Sequence, residues 1–365
     1  MKVSFITMHA VYNYGSVLQA YATQEILKKF FDEVEVINYK REDVKPENLM
    51  NSLAKNSFIK KIIMFPTIKR WIKVFDSFRN KYLNLSENEY TYNEDFIKYP
   101  LVADAFCTGS DQVWNSKWNN GYILPLYLNF VPDNKIKFSF ASSFGQSKLS
   151  ENEVKETYKY IQKYDFISVR EDSGLDILNN QYMYKNAIHV LDPTLILDGI
   201  FWKEKTSIRK IKKKYILIYN LNRSKEFDSY AKKMAKKTGY KLVRFCTRYD
   251  QCFRCGKSMI IPEIFDFINL ISNAEYVLTD SFHATAFSLN LNVHPICICP
   301  KKFGGRIDSI LKLTHTECCK VTNYNDLEVL KSEINFDRVN QILDFERKKA
   351  LNYLDLVVQS VKSKS

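Results

Sequence analysis

Short runs of β-branched and aromatic residues alternate along the chain with longer amphipathic stretches, and that alternation sets the expected architecture. Runs at residues 3–7, 34–38, 102–108, 136–141, 166–169 and 188–191 predict strands, and a second series follows at 215–221, 240–246, 276–279 and 295–299. Between them apolar positions recur at helical spacing, over 17–31, 151–164, 227–238 and 262–272. Nearly continuous apolar strands, each followed by a helix, are the pattern of parallel sheets covered on both faces. The stretch 337–361 places Val339, Leu343, Ala350, Leu354 and Val357 at helical intervals and predicts one long helix.

The alternation pauses near Leu197-Asp198-Gly199, and a basic, strand-free run follows over 203–214. A boundary there gives an amino-terminal α/β domain of 1–198 and a second of 199–335, with 336–365 as a helix packed across both. A chain of 365 residues is long enough for two such cores. In open α/β sheets ligands gather at the carboxyl ends of strands, so the loops after strands are where chemistry is expected.

Composition narrows the classes. With 45% hydrophobic and 26% charged residues the chain is an ordinary globular protein. No stretch approaches the ~18 apolar residues of a membrane span, and the first residues read as a strand, not a signal peptide. A cytoplasmic protein is expected, with its eight cysteines as reduced thiols. Cys252-x-x-Cys255 lacks the second ligand pair of a zinc site, so these thiols are expected to pack, and no metal is assigned. The formal charge of +13 favours acidic partners. No nucleic-acid-reading motif accompanies it, which leaves anionic substrates, an anionic membrane surface, or a solvated lysine-rich exterior.

Several strand-to-helix junctions carry candidate chemistry. In Asn13-Tyr14-Gly15-Ser16, the amides at a helix start suit a ligand oxygen, although an ordinary turn reads the same way. Gly109-Ser110-Asp111-Gln112-Val113-Trp114-Asn115 crowds hydrogen-bonding groups beside an indole. That mixture suits a sugar, with Trp114 against its apolar face, and equally suits a capped helix with Trp114 in the core. Ser142 and Ser143 follow another strand, and Arg170 follows the next. An arginine there can clamp a carboxylate or phosphate, or form a salt bridge with Glu171, Asp172 or a nearby loop. In Thr279-Asp280-Ser281-Phe282-His283 a strand ends and a histidine enters the first turn of the next helix. His283 there is a candidate general acid, or else a capping or core residue. Lys301 and Arg306 make a late loop cationic.

Together these motifs resemble the polysaccharide pyruvyl transferase family. The resemblance runs in order through Asn-Tyr-Gly-Ser-Val-Leu-Gln-Ala-Tyr at 13–21, Gly-Ser-Asp-Gln-Val-Trp-Asn at 109–115, and Ala-Ser-Ser-Phe-Gly at 141–145. It continues with Ser-Val-Arg-Glu at 168–171, Leu-Asp-Pro-Thr at 191–194, and Thr-Asp-Ser-Phe-His-Ala-Thr-Ala-Phe-Ser at 279–288, covering about residues 1–310. It implies a GT-B-like fold, two Rossmann-type parallel-sheet domains facing a cleft, with the acceptor on the first and phosphoenolpyruvate on the second. It also implies pyruvyl transfer from phosphoenolpyruvate to a sugar of a cell-surface polysaccharide precursor, forming a ketal.

The family's helix-start histidine falls on His283 and its post-strand arginine on Arg170. Where some members carry an arginine two residues before the histidine, this chain has Ser281, and Arg306 or Lys301 is expected to supply that charge. On this reading His283 protonates the donor, Asp111 or Asp280 takes the hydroxyl proton, and no cofactor is required. Asn13, Gly15, Ser16, Ser110, Gln112, Trp114, Asn115, Ser142, Ser143 and Ser281 line the substrates. A nucleotide-sugar glycosyltransferase and a non-catalytic sugar-binding protein of the same fold are the alternatives. The basic, aromatic stretch 57–82 suggests an anionic membrane presenting a lipid-linked acceptor, or else two helices packed on the sheet.

Overall fold

The computed structural model describes residues 1–54, 57–206, 209–222, 224–299 and 305–364. The chain forms two compact units. One comprises Met1–Lys45, Phe78–Ile196 and the chain from Phe345 onward; the other comprises Pro46–Ser77 and Leu197–Asp344.

The first unit is built on a five-stranded parallel sheet of β1 (Lys2–Ile6), β2 (Glu33–Tyr39), β3 (Leu85–Tyr90), β4 (Ala105–Thr108) and β5 (Ile136–Ser139), in the order β3-β2-β1-β4-β5. Val3 sits opposite Val34 on one side and Ala105 on the other. Val3, Phe5, Val36, Ala105 and Phe138 are wholly buried or nearly so, as expected of strands covered on both faces. A short parallel pair, β6 (Ser168–Val169) and β7 (Ile188–His189), joins the β5 side through bridges at Phe138–Phe166 and Ser142–Val169.

The second unit repeats the plan. Its strands are β8 (Tyr215–Tyr219), β9 (Lys241–Cys246), β10 (Lys257–Ile260), β11 (Tyr276–Thr279) and β12 (His294–Cys297), parallel and ordered β10-β9-β8-β11-β12. Ile216 faces Leu242 across one edge of β8, and Ile218 faces Leu278 across the other.

The apolar runs predict ten of these twelve strands. The other two, β3 and β10, are the outer strands of their sheets. β3 reads Leu-Ser-Glu-Asn-Glu-Tyr and alternates between buried and exposed, so it offers no apolar run to detect. The unit boundary also differs from a cut at 198. Leu197 already belongs to the second unit, and so does Pro46–Ser77, far earlier in the chain. The reason is packing: the Phe58–Trp71 helix buries Met64, Thr67, Ile68 and Trp71, and Trp71 Nε1 donates to the Thr247 carbonyl at 2.6 Å. The last helix, Phe336–Lys364, buries all five of its periodic apolar residues and divides between the units at Phe345.

Candidate functional site

In each unit the strand order reverses direction between the first strand and the fourth, which opens a crevice at their carboxyl ends. In the first unit that point lies between β1 and β4. The helix Tyr14–Leu27 follows β1, and Asn13 caps it, its side chain accepting from the amides of Gly15 at 2.9 Å and Ser16 at 3.3 Å. The amides that the sequence offers to a ligand oxygen are therefore already engaged by Asn13. Ser16 turns its hydroxyl to Asp111 Oδ2 at 2.5 Å, across the crevice from the loop after β4. Thr7 Oγ1 reinforces the junction by donating to the Ser110 carbonyl at 2.7 Å.

Asp111 adopts φ 76°, a left-handed conformation that a non-glycine residue rarely holds. Its Oδ1 accepts from the Gln112 amide at 2.8 Å and from Arg170 at 3.2 Å. Arg170 is wholly buried, donates to Asp192 Oδ2 at 2.6 Å, and lies 3.8 Å from Glu171 Oε2. Burial alone would lower the guanidinium pKa, but Asp192, Asp111 and Glu171 outweigh it and raise the net value. Asp192 Oδ2 also receives Ser110 Oγ at 2.9 Å, and its Oδ1 receives Thr194 Oγ1 at 2.6 Å. Glu171 Oε1 receives Ser143 Oγ at 2.7 Å.

Of the two readings of Arg170, the salt bridge is the one this arrangement matches. One guanidinium facing three carboxylates is a buried ion-pair knot between the loops after β4, β6 and β7, and it is not open to a substrate anion. For Trp114 the matching reading is the core one. It is 1% exposed, packs against Tyr127, Phe144 and Tyr164, and donates Nε1 to the Leu126 carbonyl at 2.9 Å. Its ring belongs to the core and has no face for a sugar. Asn115 caps a short turn and donates to Gln112 Oε1 at 2.6 Å, while Ser142 donates to the carbonyls of Thr108 and Gly109. These two, like Ser143, hold loops together. Gly145 holds φ 58°, a left-handed conformation that favours glycine, and a Cβ there would also displace the Gln112 side chain, whose Oε1 would lie 2.4 Å away.

In the second unit the crevice lies between β8 and β11. Asp280, after β11, receives the Leu221 amide at 2.7 Å on Oδ1. Its Oδ2 receives the Asn222 amide at 2.8 Å and the Asn222 side chain at 3.0 Å. Burial pushes the Asp280 carboxyl up, with these donors pulling against it. Ser281 caps the helix Phe282–Asn290 and accepts from the Ala284 amide at 3.4 Å, so its hydroxyl serves the helix.

His283 stands in the first turn, 7% exposed, with the Phe282 ring edge-on at 5.3 Å. Arg306 lies over that same Phe282 ring, 5.8 Å from its centroid. The structure thus gathers His283, Phe282 and Arg306 around one helix start, where helix polarity already favours anions. Lys301 lies outside the described residues. An open depression lined by Glu275, His294 and Phe336 is at the amino ends of β11 and β12, the opposite edge of the sheet from Asp280 and His283.

Of the residues that hold these loops, sequence reading misses Asn222, names Glu171 only as a salt-bridge partner for Arg170, and meets Asp192 only as part of the 191–194 motif. Asp192 is legible in part, because an Asp before Pro and Thr is a turn-forming set in which the carboxylate accepts from the residue two on. A second arginine also escapes it. Arg244 is 1% exposed and bonds Asp228, Asn220 and the Cys255 carbonyl, with the Cys255 thiol at 3.3 Å. Cys255 therefore anchors this cluster.

Two solved structures show the same fold at low identity. The UDP-GlcNAc 2-epimerase of Neisseria meningitidis is 13% identical over all of both chains, with a TM-score of 0.51. A protein from Listeria monocytogenes, named for UDP-N-acetylglucosamine 2-epimerase, is 12% identical over 93% of this chain and 90% of its own, with a TM-score of 0.54. The fold is accordingly GT-B-like, two Rossmann-type parallel sheets with a long carboxyl-terminal helix. No curated protein matches by sequence. A model of the polysaccharide pyruvyl transferase family matches residues 13–298, which include both crevices with Asp111, Asp280 and His283. On that match, the chain belongs to the polysaccharide pyruvyl transferase family, transferases that act on polysaccharides.

Proposed function

We propose that this enzyme transfers pyruvyl from phosphoenolpyruvate to a sugar of a cell-surface polysaccharide precursor, forming a cyclic ketal and releasing phosphate. The observation that carries the proposal is the placement of His283 in the first turn of its helix, with Arg306 against the adjoining Phe282 ring. The donor carries about three negative charges, and a helix start flanked by a guanidinium suits such a group. With Arg170 committed to its carboxylates, Arg306 is the cation we assign to the donor.

The atoms balance without an oxidant or reductant. His283 gives a proton to the donor's methylene carbon, which becomes the methyl group, and positive charge develops at the neighbouring carbon. One sugar hydroxyl adds there and gives up its proton, which restores the acid. The bond to the phosphate oxygen breaks, and the second hydroxyl closes the ketal while its proton leaves with phosphate. Asp280 and Asp111 are positioning residues in this scheme, because their oxygens already receive donors from the loops they hold. We place the protein in the cytoplasm, acting on a lipid-linked acceptor, with neither metal nor organic cofactor in the reaction.

The test is phosphate release from phosphoenolpyruvate with a panel of lipid-linked and nitrophenyl sugars, with product mass read alongside. Sugar-dependent release should appear, with the acceptor gaining a pyruvyl ketal. His283→Ala should lower it by about 100- to 10,000-fold. Glycosyl transfer from a nucleotide-sugar donor, with no release from phosphoenolpyruvate, would overturn the assignment.

A further inference from the structure

The Phe58–Trp71 helix is apolar on both sides, and only one side is covered. Met64, Thr67, Ile68 and Trp71 are buried in the second unit, where Thr67 Oγ1 accepts from the Tyr249 amide at 3.1 Å and Arg70 reaches Glu263 at 2.9 Å. On the opposite arc Phe58, Ile59, Ile62, Ile63 and Phe65 are between 51% and 75% exposed. Surfaces scatter single apolar residues freely, but five such side chains within eight positions form a patch that needs an occupant. The turn Tyr249–Phe253, against which this helix packs, adds Phe253 at 91% exposure.

Charge indicates which occupant. Lys60, Lys61, Lys69 and Lys73 accompany the patch, and none forms an ion pair among the described residues. The sequence holds no Asp or Glu between Glu47 and Asp76. We propose that this face seats on an anionic phospholipid surface. The helix, roughly 21 Å long by its rise per residue, lies in the headgroup plane. Its phenylalanine and isoleucine side chains dip below that plane, and the lysine ammonium groups stay level with the phosphates. Among the described residues no helix is long and apolar enough to cross a membrane, so the contact is peripheral. A second copy of this chain suits the face less well, because a twofold contact would set the same lysines against one another with no carboxylate on the helix itself to separate them. The inference rests on this surface alone and holds whichever group the enzyme transfers.

Sedimentation of the full chain with vesicles tests it. The protein should pellet with phosphatidylglycerol-containing vesicles and stay in solution with pure phosphatidylcholine. Phe58→Ser/Ile62→Ser/Phe65→Ser should lose binding while keeping its circular dichroism and melting temperature. Lys60→Glu/Lys61→Glu should weaken binding by about tenfold or more. Three results would each overturn the proposal. They are no pelleting of the wild-type protein, pelleting unchanged in the triple-serine variant (general attraction by a basic protein), and a solution dimer that the triple-serine variant alone dissociates.

Discussion

Asp111 and Asp280 hold the same station in their two units. Each follows the fourth strand of its sheet, and each carboxylate reaches across the crevice to the segment after the first strand, Asp111 to Ser16 and Asp280 to Leu221 and Asn222. The sheets share one strand order, so the two contacts are latches at corresponding places.

The Asp280 latch predicts a stability loss separable from chemistry. Asp280→Ala leaves the Leu221 and Asn222 donors without their acceptor in a part-buried place, at a cost of about 1–3 kcal/mol. Asp280→Asn keeps one acceptor oxygen and should cost clearly less. Urea unfolding of both variants checks this, and equal midpoints for wild type and Asp280→Ala would refute the latch.

Arg170 should behave as a structural ion. Arg170→Met strands three buried carboxylates, and removing one partner of a buried pair costs about 3–5 kcal/mol. Adding Asp192→Asn should restore part of the loss, since it removes the closest of those carboxylates. A double-mutant cycle by thermal melting reads the coupling, and additivity of the two single losses would contradict the knot.

Trp114 separates core from binding surface. Trp114→Ala should cost about 3–5 kcal/mol through the cavity it leaves. Trp114→Phe keeps most of the packing and should leave KM for the acceptor unchanged. A large rise in acceptor KM with normal stability would return the indole to the sugar.

His9 predicts sensitivity to acid. Burial is the main cause that pushes its pKa down from 6.5 to about 3, with Arg79 adding to the shift, so the unfolded chain binds its proton first. Stability from this group is complete above the unfolded value and is lost as pH falls from 6.5 toward 3. Between pH 7.5 and 5.5 the loss is about 1.4 kcal/mol. Asp280, raised by burial, works in the opposite sense within the carboxylate range, losing stability as pH rises through its shifted value. Urea midpoints at pH 7.5 and 5.5 should draw closer together in His9→Gln, with His294, which burial lowers to about 4, keeping part of the slope. An unchanged pH slope in that variant would exclude His9 as the cause.

Central elements were readable from sequence because burial on both faces writes itself as unbroken apolar runs, as in Tyr215–Tyr219. Outer strands such as Leu85–Tyr90 leave no such mark. At the site, the histidine entering a helix after Asp280-Ser281 could be placed by its strand-to-helix junction. Whether Arg170 met a ligand or a carboxylate could not, since Asp192 lies 22 positions further on and only the fold brings it within 2.6 Å. The same applies to Pro46–Ser77, whose partners at Thr247 and Glu263 follow some 180 residues later.

The closing helix sets an order of events in synthesis. Tyr353 lies against Phe140 and Phe166 and donates its hydroxyl to the Ser139 carbonyl at 2.7 Å, while Leu354 and Val357 fill the same interior. These residues belong to the first unit but are translated after every strand of the second. The unit whose strands emerge first from the ribosome is thus the one finished last, and its sheet must wait, with the Phe140 side uncovered, while the whole second unit is made.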